Sequence, residues 1–207
     1  MIRRWFSLMR MALFGAGVAI CAVNCAPGGT LEVGPVRVTE SMGSGSLAPA
    51  MFPAKALTTI TIYEDFCDMP SEQQLSDEVL QVGNIDFSKF VQLSHLNLVH
   101  GTLTATAGNF DFMTELTVSY VPSVGAPGNP DPVVLGTANN PGGLGTEVTL
   151  IPPDALDVLD LIRQNDANTS GQCPKLRYDM TVSSAPASNV QYDISMTVDA
   201  FALVGLF

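Results

Sequence analysis

The side chains in this 207-residue chain whose types and spacing bear on chemistry are two histidines, two clusters of carboxylates and four cysteines. His95 and His100 are the only imidazoles. On a continuous strand successive side chains alternate between faces, so a separation of five sends the pair to opposite sides. A metal ion held by both would need a bulge or bend between them. Solvated or hydrogen-bonded histidines are the better expectation. No serine stands in a Gly-x-Ser-x-Gly setting and no cysteine lies close to a histidine in sequence, so no local motif supplies a nucleophile with its base.

Glu64, Asp65 and Asp68 surround Cys67, while Asp154, Asp157 and Asp160 recur every three residues. The first trio is a weak calcium candidate: calcium takes about six to eight oxygens from several segments, and neither trio has the spacing or central glycine of an EF-hand loop. The second trio has a simpler role on a helix, with Asp154 as N-cap, Asp157 beside the positive end of the dipole and Asp160 in solvent. NNPGG at 139–143 reads as a tight turn, and phosphate binding there would require a following helix. NTS at 168–170 matches a glycosylation acceptor. No cofactor is expected.

The cysteines fall into two pairs. Cys21 and Cys25 close an uncharged run, MALFGAGVAICAVN, that follows Arg3, Arg4 and Arg10. At 14 residues this run is short for a transmembrane helix, which needs about 20, and suits the apolar region of a secretory signal. With the small residues of CAPGGT behind it, the leader resembles that of a bacterial lipoprotein precursor, in which a cysteine becomes the acylated first residue of the mature chain. The resemblance covers about 30 residues and implies a signal peptide over 1–24, lipidation of Cys25 and a linker over 25–30. The residue before the cysteine departs from that family's pattern, Asn24 before Cys25 and Ile20 before Cys21, so cleavage at Cys21, or near Ala26 with a soluble product, stays open. RRWF also fits the core of a twin-arginine export signal.

Cys67 and Cys173 remain for the mature chain, and an exported chain folds where thiols oxidise, so a structural disulfide between them is expected. Removing the leader takes three of the nine basic side chains, which leaves six against 20 acidic ones and a formal charge of −14. Such a surface repels nucleic acid and anionic headgroups. The expected partners are a membrane, reached through the lipid anchor, and a protein or glycan.

The elements that position these groups read as β-structure. KLRYDMTV alternates Leu176, Tyr178, Met180 and Val182 with polar residues, and NVQYDISMTVDA repeats the pattern, a period of two that a half-buried strand satisfies. SSAPASN between them suggests a hairpin. LTTITIYE, VQLSHLNL, GTLTATA, NFDFMTELTVSYV, DPVVLGTA and TEVTLIP add short strands; LEVGPVRVT adds another, followed by a loop at SMGSGSLAPAMFPA. PPDALDVLDLIRQND predicts a helix of about ten residues behind Asp154, and MPSEQQLSDEVL a shorter helical turn. The fold expected over 31–207 is one all-β domain, an immunoglobulin-like antiparallel sandwich of seven to nine strands with one short helix. A non-catalytic structural, adhesion or ligand-binding role in the cell envelope follows. The alternatives are an envelope hydrolase, or a small outer-membrane barrel suggested by the C-terminal FALVGLF but poorly served by so few aromatic residues.

Overall fold

The structure, a computed structural model, describes residues 30–52, 58–67, 69–83, 90–123, 131–153, 155–168 and 171–205. The leader, Cys21, Cys25, Asp68 and Asp154 lie outside them. Among the described residues nine strands form two antiparallel sheets. The first is built from β1 (Thr30–Leu47), β9 (Val190–Gly205), β3 (Phe90–Ala107) and β6 (Glu147–Leu150) in that order, with the short β7 (Leu156–Asp157) also paired to β3. The second orders β2 (Thr58–Asp65), β8 (Lys175–Val182), β4 (Met113–Val121) and β5 (Val133–Asn139). The sheets face each other as a sandwich and do not close into a barrel, so the outer-membrane barrel is not the architecture found. Among the described residues no helix is long and apolar enough to cross a membrane.

Alternation along β8 puts Leu176, Tyr178, Met180 and Val182 in the core, and along β9 it does the same for Val190, Tyr192, Val198, Ala200 and Ala202. Each fully buried large apolar side chain stabilises by about 2 kcal/mol. The two strands are not a hairpin, however. Each must present its apolar face to the space between the sheets, and they do so from opposite sides, so the loop between them crosses from one sheet to the other.

β1, β3 and β9 of the first sheet, at 16 to 18 residues, are about twice as long as the strands of the second. Helices α1 (Glu72–Val82) and α2 (Leu159–Asp166) pack against this sheet through Leu75, Val79, Leu159 and Ile162. The described residues thus hold two α-helices rather than one. The first runs further than the helical turn expected: Ser71 accepts from the Gln74 amide while the Gln74 side chain accepts from the Ser71 amide, a reciprocal cap that lets a polar segment run eleven residues. α2 is shorter than expected because Leu156 and Asp157 join the edge of β3 instead. β1 also continues through the serines and glycines expected to loop out, held in fifteen pairings to β9 from Thr30 to Leu47 that two register shifts interrupt. VQLSHLNL and GTLTATA are one strand, β3.

One side of the sandwich is stitched: just after β6, Ile151 exchanges two 2.9 Å backbone hydrogen bonds with Thr137 of β5. On the other side β1 and β2 stand without a strand between them, among the described residues. Where the helices meet the second sheet, Met42, Met69, Met196, Phe66 and Leu161 surround an apolar cavity of about 40 Å³. A void walled by such residues stays dry. Tyr120 lines it, and burial pushes that phenol up to about 12.

Candidate functional site

Two polar constellations lie at opposite ends of the long sheet. The first sits on the open β1–β2 side. Alternation along β2 turns Thr58, Ile60, Ile62 and Glu64 inward, and Glu64 Oε1 accepts a 2.9 Å hydrogen bond from the Tyr192 hydroxyl. Tyr178 packs edge-on to Tyr192, ring centroids 6.5 Å apart, and its hydroxyl is buried without a hydrogen-bond partner. Burial first, then the Glu64 carboxylate, push the Tyr192 phenol far above its ordinary range; for Tyr178 burial is again foremost, followed by Tyr192 and Glu64. Both phenols therefore stay protonated, and Tyr192 acts as the donor to Glu64. Gly45 of β1 lies directly over Tyr192, where a Cβ would collide with the phenol. An opening of about 210 Å³ beside this cluster is lined by Met42, Gly43, Ser44, Glu64 and Leu176.

The second constellation ties β3 to the start of α2. Asp157 Oδ2 lies 2.8 Å from His95 Nδ1, and Oδ1 accepts from the amides of Leu96 at 3.1 Å and Leu159 at 3.0 Å. Burial would raise the Asp157 carboxyl, but the Leu159 amide, His95 and the Leu96 amide outweigh it and hold it below its usual range. Asp157, one residue before the N-cap Val158, thus accepts from the first amide of the helix. Nearby, Arg163 of α2 grips Glu72 of α1 through two bonds of 2.9 and 2.7 Å and donates to the Leu93 carbonyl, fastening both helices to β3. His95, paired with Asp157 through Nδ1, is otherwise an exposed side chain.

His100 does not join His95. A register shift between Leu98 and His100 inserts one extra residue, and this bulge puts both imidazoles on the outer face, His95 opposite Phe201 and His100 opposite Thr197. Four rungs still separate them, about 13 Å at the rise of a strand, which is beyond any shared ion. The calcium candidates part as well: Glu64 turns inward to Tyr192, whereas Asp65 turns outward and pairs with Lys175 at 3.3 Å. No group of three metal-ligating side chains occurs among the described residues.

Cys67 and Cys173 form a disulfide with Cα atoms 4.9 Å apart. It extends the β2–β8 ladder, in which Asp65 pairs with Lys175 and the Phe66 amide bonds the Pro174 carbonyl at 2.8 Å. The bridge therefore lies across neighbouring strands of one sheet. Reading the sequence alone missed the Glu64–Tyr192 and His95–Asp157 pairs, whose members are 128 and 62 residues apart with no local signal joining them. No family model matches this chain, and no curated protein matches it.

Proposed function

We propose that this chain is an exported cell-envelope protein, anchored by lipid on Cys25, whose sandwich of immunoglobulin-like style serves a non-catalytic structural, adhesion or ligand-binding role. The Cys67–Cys173 disulfide carries the reading. A cross-link of this kind persists where thiols are oxidised, and the basic, then apolar, N-terminal segment is the kind of address that sends a chain there. Two packed antiparallel sheets with loops gathered at their ends support the immunoglobulin-like style.

The test is Cys25→Ser. The variant should move from the membrane pellet to the soluble envelope fraction, because acyl chains supply about 0.8 kcal/mol per buried CH₂. Intact mass of the membrane form reports the cleavage site and the acyl additions together. Partitioning that ignores the substitution would sink the anchor.

A hydrolase is the second reading, resting on the His95–Asp157 pair, since a carboxylate that fixes Nδ1 leaves Nε2 oriented as a base. The neighbouring Ser94 hydroxyl donates to Glu32 at 2.6 Å rather than to His95. Hydrolysis of generic esters that is abolished by His95→Ala would establish this reading over the first.

A further inference from the structure

We infer that the sandwich stands on the bilayer by one defined end, the end where β1 begins and β9 finishes, and that Phe201 and Leu203 on the outer face of the long sheet contact the lipid interface there. The inference rests on the lipid-anchor reading. From Cys25 to Thr30, where β1 starts, is five residues, a tether of at most about 17 Å when fully extended. β1 itself runs 18 residues, about 60 Å at the rise of a strand. A lipid on Cys25 can therefore hold only one end of this sheet near the membrane. The loops between β3 and β4 and between β8 and β9 lie at the other.

The outer face of β9 changes character at that tethered end. From Gln191 to Asp199 every outward-facing residue is polar, and the last two, Phe201 and Leu203, are apolar and only partly covered. The inward residues opposite them in the alternation, Ala200 and Ala202, are fully buried, so the core is already filled without Phe201 and Leu203. Phe201 meets the His95 ring edge-on, centroids 6.4 Å apart, and Leu203 lies between Glu32 and Gln92 in the ladder. Aromatic and apolar side chains within reach of a tether to the bilayer settle at the headgroup boundary. The mature chain's charge of −14 points to zwitterionic rather than anionic lipid as the surface it accepts.

Trp5 is the sole tryptophan and lies in the leader, so the lipidated mature chain offers a dark background for a reporter. Phe201→Trp, Leu203→Trp and, at the far end, Ser184→Trp would each be exported, purified in the lipidated form and reconstituted into phosphatidylcholine vesicles carrying a doxyl quencher near the headgroup. Flotation of the vesicles reports the anchor independently. Emission from Phe201→Trp and Leu203→Trp should shift to the blue and be quenched, while Ser184→Trp keeps both its wavelength and its intensity; if one near-end variant fails to fold, the other carries the measurement. Co-flotation with neither near-end reporter quenched, or with Ser184→Trp quenched equally, overturns the orientation and leaves the anchor standing. Failure to float removes the anchor and the orientation with it.

Discussion

Replacing both Cys67 and Cys173 by serine should cost about 5 kcal/mol of stability. The cysteines are 106 residues apart in sequence, and the chain-entropy relation for a loop of that length gives about 4.8 kcal/mol at 25 °C. Little packing is lost with the sulfurs, because Cys67 is exposed and Cys173 only half-buried. The eight-rung β2–β8 ladder and the Phe66–Pro174 hydrogen bond remain to hold the native geometry, so the effect falls almost wholly on the unfolded chain. At about 2 to 4 °C per kcal/mol for a domain of this size, the midpoint of thermal unfolding should drop by roughly 10 to 20 °C. Urea unfolding is the assay, with wild type measured in oxidising and reducing buffer as its own control. The denaturant slope should rise in the serine variant, since an unfolded chain without the cross-link exposes more surface. A loss below about 2 kcal/mol, or a wild-type transition that reductant leaves unmoved, would refute the reasoning.

Two further outcomes follow from the polar clusters. Tyr192→Phe removes the donor to Glu64 and should cost about 1.5 to 3 kcal/mol, whereas Tyr178→Phe removes a hydroxyl with no partner and should be neutral or stabilising; urea midpoints of the two variants at neutral pH give the comparison, and equal losses would contradict the assignment. Asp157 is held below its usual pKa in the folded chain, so its stabilisation is full above the ordinary carboxyl range and is lost as pH falls through the lower native value. The stability gap between wild type and Asp157→Asn should therefore be present at pH 5 and close on acidification below about pH 4.

The parts of the fold that can be read without coordinates are those in which one strand carries its own evidence. β8 and most of β9 show a clean period of two because each has one buried and one wet face. The end of β9 loses that alternation where both faces become apolar. β1 is obscured differently: its serines and glycines have poor strand propensity, and only the long partner β9 holds them extended. The Ser71-x-x-Gln74 cap of α1 is visible in the sequence and deserved more weight than the polar composition that follows it. The histidines show a firmer limit. Their face depends on one extra residue in β3 relative to β9, and the strand pattern alone does not reveal a bulge. Asp157, expected to act through the helix dipole, sits before the N-cap, accepts from the first amide of α2 and reaches His95 only because β7 lays it against β3.

An open two-sheet sandwich has four border strands, each with a row of hydrogen-bonding groups that can recruit a stray chain. The Thr137–Ile151 exchange partly satisfies two of these borders by joining them to each other, which leaves β1 and β2 side by side as the remaining templates for aggregation among the described residues. Each carries a carboxylate aimed inward: Glu64 beneath Tyr192, and Glu40 between Leu75 and Val198 in the small void under α1, where burial alone raises its pKa. A strand added along either border would seal these carboxylates further from water, at a cost that grows with each ångström of coverage. The long border of β1 is thus guarded from within, by a carboxylate on its inner face rather than by a covering strand.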